Sequence, residues 1–494
     1  MNNSDTEPFR VSRAVLFLVF AAALIPRLWA LDWALPLKTG HIDESVVVFY
    51  SLRVVAGDPN PRVFFDYPGF FLYVLAALFK GALLVFRFTG MTVPPNAQVL
   101  ETYSRGDGLV SLLLIARAFN AVLSAAAGAV LCRFAGTRWR LTAGLAAGLL
   151  WAVNPLAVLH AHYATVDTAA VLLTLLAVER LARYADDGDR REGLWASVFV
   201  GLAAATKYYP GILTVFLAAV PLSRRDWRRA ALFCAVAAGT FLAASPYTVI
   251  EAGTFAHRFL HLFPKIVGGG KETIYFLPTL KGLLSNVGLL TCLTSVAGLF
   301  LLFRSPSRGD RVLASVFIFL TIFFGVWGAQ LPHYALPLYP LLFLAVGKAL
   351  EETGRLQRCL PFVGLALLLG LAVPSTVRSL ERISVPDTRL RALAWARETF
   401  PPGSRVLRFA RTPEFSPRDP FSVMVDWENV RLREGAAALS AEGFDYLIYG
   451  TYDPVGDPIP KALAGRFALI KTIDAPAPFF PHDPAEYVYK VREK

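Results

Sequence analysis

The sequence predicts a polytopic α-helical membrane protein of about 11 spans, followed by a small C-terminal extracytoplasmic α/β domain. Three observations lead there. Of 494 residues, 55% are hydrophobic and 17% are charged, against about 25% charged in ordinary soluble domains. Apolar runs such as VLFLVFAAALI, LLLTLLAV and FIFLTIFFGVWG recur through the first three quarters of the chain, and about 20 apolar residues cross a bilayer core of roughly 30 Å. After Ser375 the pattern changes to DTRLRALAWARETFPPGSRVL, an amphipathic helix, a Pro/Gly turn and a strand, with FDYLIYGTYD and RFALIKTIDA as further strands.

The net charge of +12 is no sign of nucleic-acid binding, because the basic residues sit in short clusters between apolar runs, as the positive-inside rule distributes them. Cys132, Cys234, Cys292 and Cys359 lie in or at the ends of apolar segments and match no metal or disulfide spacing. They read as small hydrophobes.

From the N-terminus, Arg10 and Arg13 lead into an apolar stretch without a small-x-small cleavage site, which predicts an uncleaved first span. Basic clusters follow at Arg133/Arg138/Arg140, Arg183/Arg190/Arg191, Arg224/Arg225/Arg228/Arg229, Arg304/Arg308/Arg311 and Lys348/Arg355/Arg358. The intervening loops at 160–167, 207–211 and 331–340 are poor in Lys and Arg. One arrangement puts every cluster inside. Its spans run at 11–33, 109–132, 141–160, 168–184, 193–208, 210–222, 229–247, 284–303, 312–330, 334–350 and 360–376. The odd count leaves the N-terminus cytoplasmic and the C-terminal tail outside. Residues 69–88 are equally apolar, but as a crossing they would put five basic clusters outside. They read as an interfacial or re-entrant helix on the outer face. Residues 1–376 thus form a transmembrane domain with a first external loop at 36–108, and 377–494 form the extracytoplasmic domain.

The polar groups able to carry chemistry gather on the outer side. HIDESVVVFY places His41, Asp43 and Glu44 just after the first span, where partial desolvation suits a carboxylate to general-base work. A solvated loop acid is the structural alternative. HAHYATVD places His160, His162, Tyr163 and Asp167 at a span junction. Helix capping competes there with substrate contacts or a divalent cation, and the cofactor stays unknown. Lys207, beside Tyr208 in GLAAATKYYPGIL, is an ionisable group at membrane depth. Such a group is costly and usually functional, with snorkelling as the plainer reading. Arg117 in LIARAFNAVL is similarly placed, and His333 and Tyr334 mark another outer junction, where interfacial anchoring is the common role.

In order along residues 10–350, HIDE, DYPGFFLYVLAALF, ARAFNAVL, HYATVDTAAVLL, GLAAATKYYPGIL and HYALPLYPLL resemble the GT-C superfamily. The similarity is greatest to its protein O-mannosyltransferase and aminoarabinose transferase group, which depends on dolichyl or undecaprenyl phosphate. The resemblance implies Asp43 as catalytic base with Glu44 completing the pair, Arg117 as the arginine of the second span, and an eleven-span core. Tyr67-Pro68-Gly69 stands where the family has Pro-Pro-Leu, and His162/Tyr163 stand where an arginine often precedes the second acid.

The expected activity is inverting transfer of a hexosyl or pentosyl group from a polyprenyl-phosphate donor to a hydroxyl of a protein, lipid or glycan. Asp43 would act as base, and Lys207, Arg117 and His333 would neutralise the leaving phosphate. No nucleotide-binding GxGxxG occurs in a βαβ setting. A transporter or flippase would put its ionisable groups near the bilayer midplane and show repeated halves, and no repeat is evident. A non-catalytic membrane scaffold would tolerate neutral residues at both Asp43 and Lys207.

Overall fold

The structure is a computed structural model, which describes residues 10–37, 40–62, 64–105, 110–267, 276–326, 332–409, 411–416, 418–426, 443–451, 467–474 and 484–491. Two compact units emerge. The first contains Met1–Leu31, Val47–Glu101 and Ser111–Leu380, the second Asp32–Val46, Thr102–Val110 and Glu381–Lys494. Two stretches of the expected first external loop therefore fold with the C-terminal α/β chain.

In chain order the helices are α1 (Arg13–Leu28), α2 (Ile42–Val55), α3 (Phe70–Phe88), α4 (Val99–Arg105), α5 (Val110–Arg138), α6 (Leu141–Ala152), α7 (Pro155–Ala161), α8 (Asp167–Asp187), α9 (Arg190–Thr206) and α10 (Thr214–Leu222). They continue as α11 (Trp227–Ala244), α12 (Tyr247–Ile250), α13 (Ala252–Val267), α14 (Phe276–Val287), α15 (Leu289–Arg304), α16 (Arg308–Val326), α17 (Leu338–Thr353), α18 (Leu360–Ser384) and α19 (Thr388–Thr399).

The core of the first unit forms where α8 packs along α9, α9 along α11, and both α6 and α15 against α17. Helix α17 buries nearly every residue from Leu338 to Leu350, as expected of a helix that is apolar all round. Its approach to α15 is close enough that a Cβ at Gly298 would collide with the Ala345 carbonyl, the small-residue packing common between membrane helices.

Among the described residues, four helical segments are long and apolar enough to cross a membrane: Phe70–Phe88, Val110–Arg138, Arg308–Val326 and Leu360–Thr399. The number rises to six if two bent pairs each count as one span. The sequence-based spans exceed this because several are broken or short. Helices α6 and α7 meet at 57°, and the pair around Gly288 at 111°; Gly288 has φ +79°, a conformation that only glycine adopts at no steric cost. Helix α9 has 17 residues, and α8 carries Glu179, Arg180 and Arg183 in its second half. Residues 69–88 form one continuous helix, α3, with no reversal of the kind a re-entrant loop needs, and by length and composition it qualifies as a crossing.

The α6/α7 break is built from sequence. Asn154 caps α7 by accepting the Ala157 N–H (2.9 Å), with Pro155 at the first helical position. The break strips the last carbonyls of α6 of helical donors. Arg27 supplies replacements: its fully buried guanidinium donates to Trp151 O (3.0 Å), Ala152 O (2.9 Å), Ala23 O (2.7 Å) and Ser124 Oγ (2.7 Å).

The second unit holds α19 and a five-stranded sheet, β1 (Arg405–Phe409), β2 (Ser422–Asp426), β3 (Tyr446–Thr451), β4 (Phe467–Ile473) and β5 (Ala485–Val491), in the order β2-β1-β3-β5-β4. β1 runs parallel to β2 and β3, and β5 antiparallel to β3 and β4. Side chains alternate across it. Leu407, Leu447, Tyr487 and Tyr489 form one apolar cluster, while Val406, Tyr446, Ile448 and Val488 pack with Ala396 and Phe400.

Candidate active site

The residues singled out in the sequence fall into two groups, one in each compact unit. His41, Asp43 and Glu44 belong to the second unit and start α2. His41 is the cap: its Nδ1 accepts the Asp43 N–H (3.1 Å) and its carbonyl accepts the Glu44 N–H (3.2 Å). An accepting Nδ1 carries no proton, so the neutral ring is protonated at Nε2. Acids in a first turn also complement the helix dipole. Asp43 is half-buried and Glu44 fully buried. Of the pair, Asp43 is the carboxylate with exposed surface.

The other group lies in the first unit around Lys207, the residue that ends α9 in extended conformation. Its ammonium is buried and forms an ion pair with Asp167 at the start of α8 (Nζ to Oδ1, 2.6 Å). Three tyrosine rings surround it, with centroids at 4.7 Å (Tyr334), 5.8 Å (Tyr209) and 5.9 Å (Tyr67). Electron-rich faces attract a desolvated cation. The His160 ring lies 5.2 Å from both His333 and Tyr163, and His333 lies 4.6 Å from Tyr334. The three outer loops of the sequence-based topology, 160–167, 207–211 and 331–340, thus converge on one cluster.

Elements around it hold the geometry. Asn120 of α5 donates Nδ2 to Tyr163 O and to Thr165 O (2.7 Å), fixing the chain that delivers Asp167. Arg117, fully buried one turn earlier, donates to Leu31 O (3.0 Å). The DYPG stretch is tied down by Tyr208 Oη on Phe65 O (2.9 Å), Arg258 on Asp66 (3.3 Å) and Gly69 N–H on Ser245 Oγ (3.1 Å). That places Tyr67 against Lys207. Next to Tyr208 is a cavity of about 290 Å³, lined among others by Val200, Ala204, Tyr208, Phe241, Phe255 and Phe259.

Two sequence-based readings change. Lys207 is no snorkelling residue and no isolated point charge, since it shares a buried pair with Asp167. Asp167 does not cap α8 either; it occupies the first helical position and faces Lys207. His162 meets main-chain carbonyls at both ring nitrogens, Val158 O (2.8 Å) and Trp29 O (2.7 Å), which occupies the atoms a metal would need. Among the described residues no three His, Cys, Asp or Glu side chains gather as a metal site. Sequence reasoning did not single out Asn120, Tyr209 or Arg27. Of these only Arg27, a charge within an apolar run, carried a local signal.

Residues 107–329, a little under half of the chain, match the model of glycosyltransferase family 87. The chain is similar in structure to ArnT from Cupriavidus metallidurans bound to undecaprenyl phosphate, with a TM-score of 0.59 and 16% identity over 97% of this chain and 98% of that one. The apo state of the same protein gives 0.57 and 17% over 96% and 98%. The archaeal oligosaccharyltransferase AglB from Archaeoglobus fulgidus gives 0.48 and 12% over 89% and 70%, too distant to carry an argument. No curated protein sequence matches the chain. The family match and the shared fold agree with the GT-C resemblance read from the sequence, and the enzyme class they support is glycosyltransferase.

Proposed function

We propose that the chain transfers a sugar, with inversion, from a polyprenyl-phosphate donor to a hydroxyl of a protein, lipid or glycan at the outer face of the cell membrane. The observation that carries this reading is a buried ammonium in an aromatic cage, whose neighbour in sequence, Tyr208, lines an apolar cavity. That combination suits a ligand with an anionic head and a hydrocarbon tail. The undecaprenyl phosphate held by the similar ArnT structure has this chemistry. In this reading the N-terminus is cytoplasmic and the C-terminal α/β unit extracytoplasmic.

Asp43 takes the proton of the acceptor hydroxyl as its oxygen attacks the anomeric carbon. The bond from that carbon to the phosphate oxygen breaks, and polyprenyl phosphate leaves as an anion. Lys207 meets the developing charge. An ammonium has three donors on a flexible stem, so one can stay on Asp167 while another turns to the phosphate. His333, in the same cluster, and the field of Arg117 add positive charge. A single displacement needs no second nucleophilic carboxylate, in contrast to retaining chemistry.

The test is mass spectrometry of polyprenyl-phosphate lipids from cells carrying the wild-type chain or Asp43→Asn. A sugar-loaded lipid that accumulates only with the variant supports the reading and names the donor. Identical lipid profiles, with both proteins present in the membrane, refute it and favour transport or binding.

A further inference from the structure

Within the second unit, one buried arginine ties the C-terminal fold to the start of α2. Arg389, in the first turn of α19, is 1% exposed at its side chain and forms an ion pair with Asp387, 2% exposed. The pair is bidentate: Nε donates to Oδ1 at 2.8 Å and Nη2 to Oδ2 at 2.6 Å. Asp387 is itself fixed, because Oδ1 also accepts the Arg389 N–H (2.9 Å) as the cap of α19. The start of α19 is pinned in turn by Thr388 Oγ1, which donates to Pro484 O (2.7 Å) just before β5. From this rigid base Nη2 reaches the carbonyl of Gly40 (3.3 Å). Gly40 is buried and directly precedes His41, whose ring caps the helix that carries Asp43.

We propose that Arg389 is a positioning residue for sugar transfer: with Asp387 it holds the Gly40 carbonyl, and thereby the His41 cap and the direction of Asp43. The proposal rests on the reading of Asp43 as base. A buried ion pair contributes little net stability compared with apolar packing. What the planar guanidinium adds is direction, which a lysine ammonium does not reproduce. A misplacement of about 1 Å at a reacting group can cost on the order of 100-fold in rate. The C-terminal unit, in this view, sets the geometry of the base.

The experiment uses full-length protein in liposomes, the sugar-loaded polyprenyl phosphate purified from Asp43→Asn cells as donor, and cell-envelope extract as acceptor. Binding of undecaprenyl phosphate is measured separately by native mass spectrometry. Arg389→Ala and Asp387→Asn are expected to lower kcat by about 10- to 100-fold, with the donor KM and undecaprenyl phosphate binding held within about twofold. Arg389→Lys recovers part of the rate. The double variant Asp43→Asn/Arg389→Ala turns over no more slowly than Asp43→Asn alone, because Arg389 acts only through that carboxylate. Wild-type turnover by Arg389→Ala beside an inactive Asp43→Asn overturns this proposal alone. Wild-type turnover by Asp43→Asn overturns the base reading and the proposal together. Loss of undecaprenyl phosphate binding in both Arg389→Ala and Arg389→Lys also overturns it, since the arginine would then support the fold in general.

Discussion

Helix α8 carries an acid near each end, Asp167 and Asp186, about 30 Å apart at 1.5 Å per residue. Their surroundings differ in kind. Asp186 sits among many donors: Arg138 (2.8 Å), Ser307 Oγ (2.7 Å) and the Gly309 N–H (2.8 Å), while the same arginine also holds Asp310. Arg140 and Lys348 both reach Glu351, at 3.8 and 3.2 Å. These contacts join the basic clusters that the charge pattern put on one side. At the other end Asp167 faces a lysine, and rings take the place of polar donors. An arginine fork fixes geometry, whereas a caged ammonium on a flexible stem can be redirected by an incoming anion. In the proposed reading, one end is built to stay as it is and the other to be engaged.

The largest effect should come from Lys207→Met, which leaves a buried carboxylate without its counter-charge. Turnover is expected to fall at least ~100-fold and thermal stability by about 3–5 kcal/mol. Asp167→Asn/Lys207→Met should regain stability but no turnover, and recovery of both would erase the functional contrast. Next, Arg138→Met should cost about 3 kcal/mol in unfolding by the same uncompensated-charge argument, while turnover per folded molecule stays within about twofold. A rate loss as deep as that of Lys207→Met would show the two ends to be equivalent. Tyr334→Leu removes the ring nearest the ammonium, an interaction of about 1–2 kcal/mol when desolvated. Turnover should drop by about 10-fold, and Tyr334→Phe, which keeps the ring face, should stay near wild type.

The smallest effect concerns a third acid, Glu486 on β5, whose oxygens have no hydrogen-bond partner among the described residues. Burial holds its carboxyl well above the usual carboxylate range, against the pull of Arg389 and Arg408. A raised folded-state value means the native chain keeps a proton that the unfolded chain releases, so stability is lost as pH rises above about 4.3, the ordinary glutamate value. Glu486→Gln should therefore match wild type in acid and melt higher at neutral pH. A constant offset across the pH series of melting curves would contradict this.

The pattern of charge and apolar runs made the helical class legible. Strands β3 and β4 fall within FDYLIYGTYD and RFALIKTIDA. Lys207 and Asp167 each drew notice alone, because an ionisable residue at a span junction is a local signal. Their pairing was hidden, since 40 residues separate them and no periodicity encodes which helix ends meet. The allegiance of residues 32–46 was hidden for the same reason: a loop joins whichever unit its buried contacts select. The helix breaks at Asn154 and Gly288 were hidden too, because hydropathy reads composition and is blind to a bend.

Arg27 has a consequence for biosynthesis. Its acceptors at Trp151 and Ala152 lie 124 and 125 residues further along the chain. While the ribosome is still making that stretch, the guanidinium has only water, headgroup phosphates or its own helix to satisfy it. The N-terminal helix should therefore stay shallow or remain with the insertion machinery until α6 arrives, and its final depth is set by a partner that does not yet exist when it first meets the bilayer.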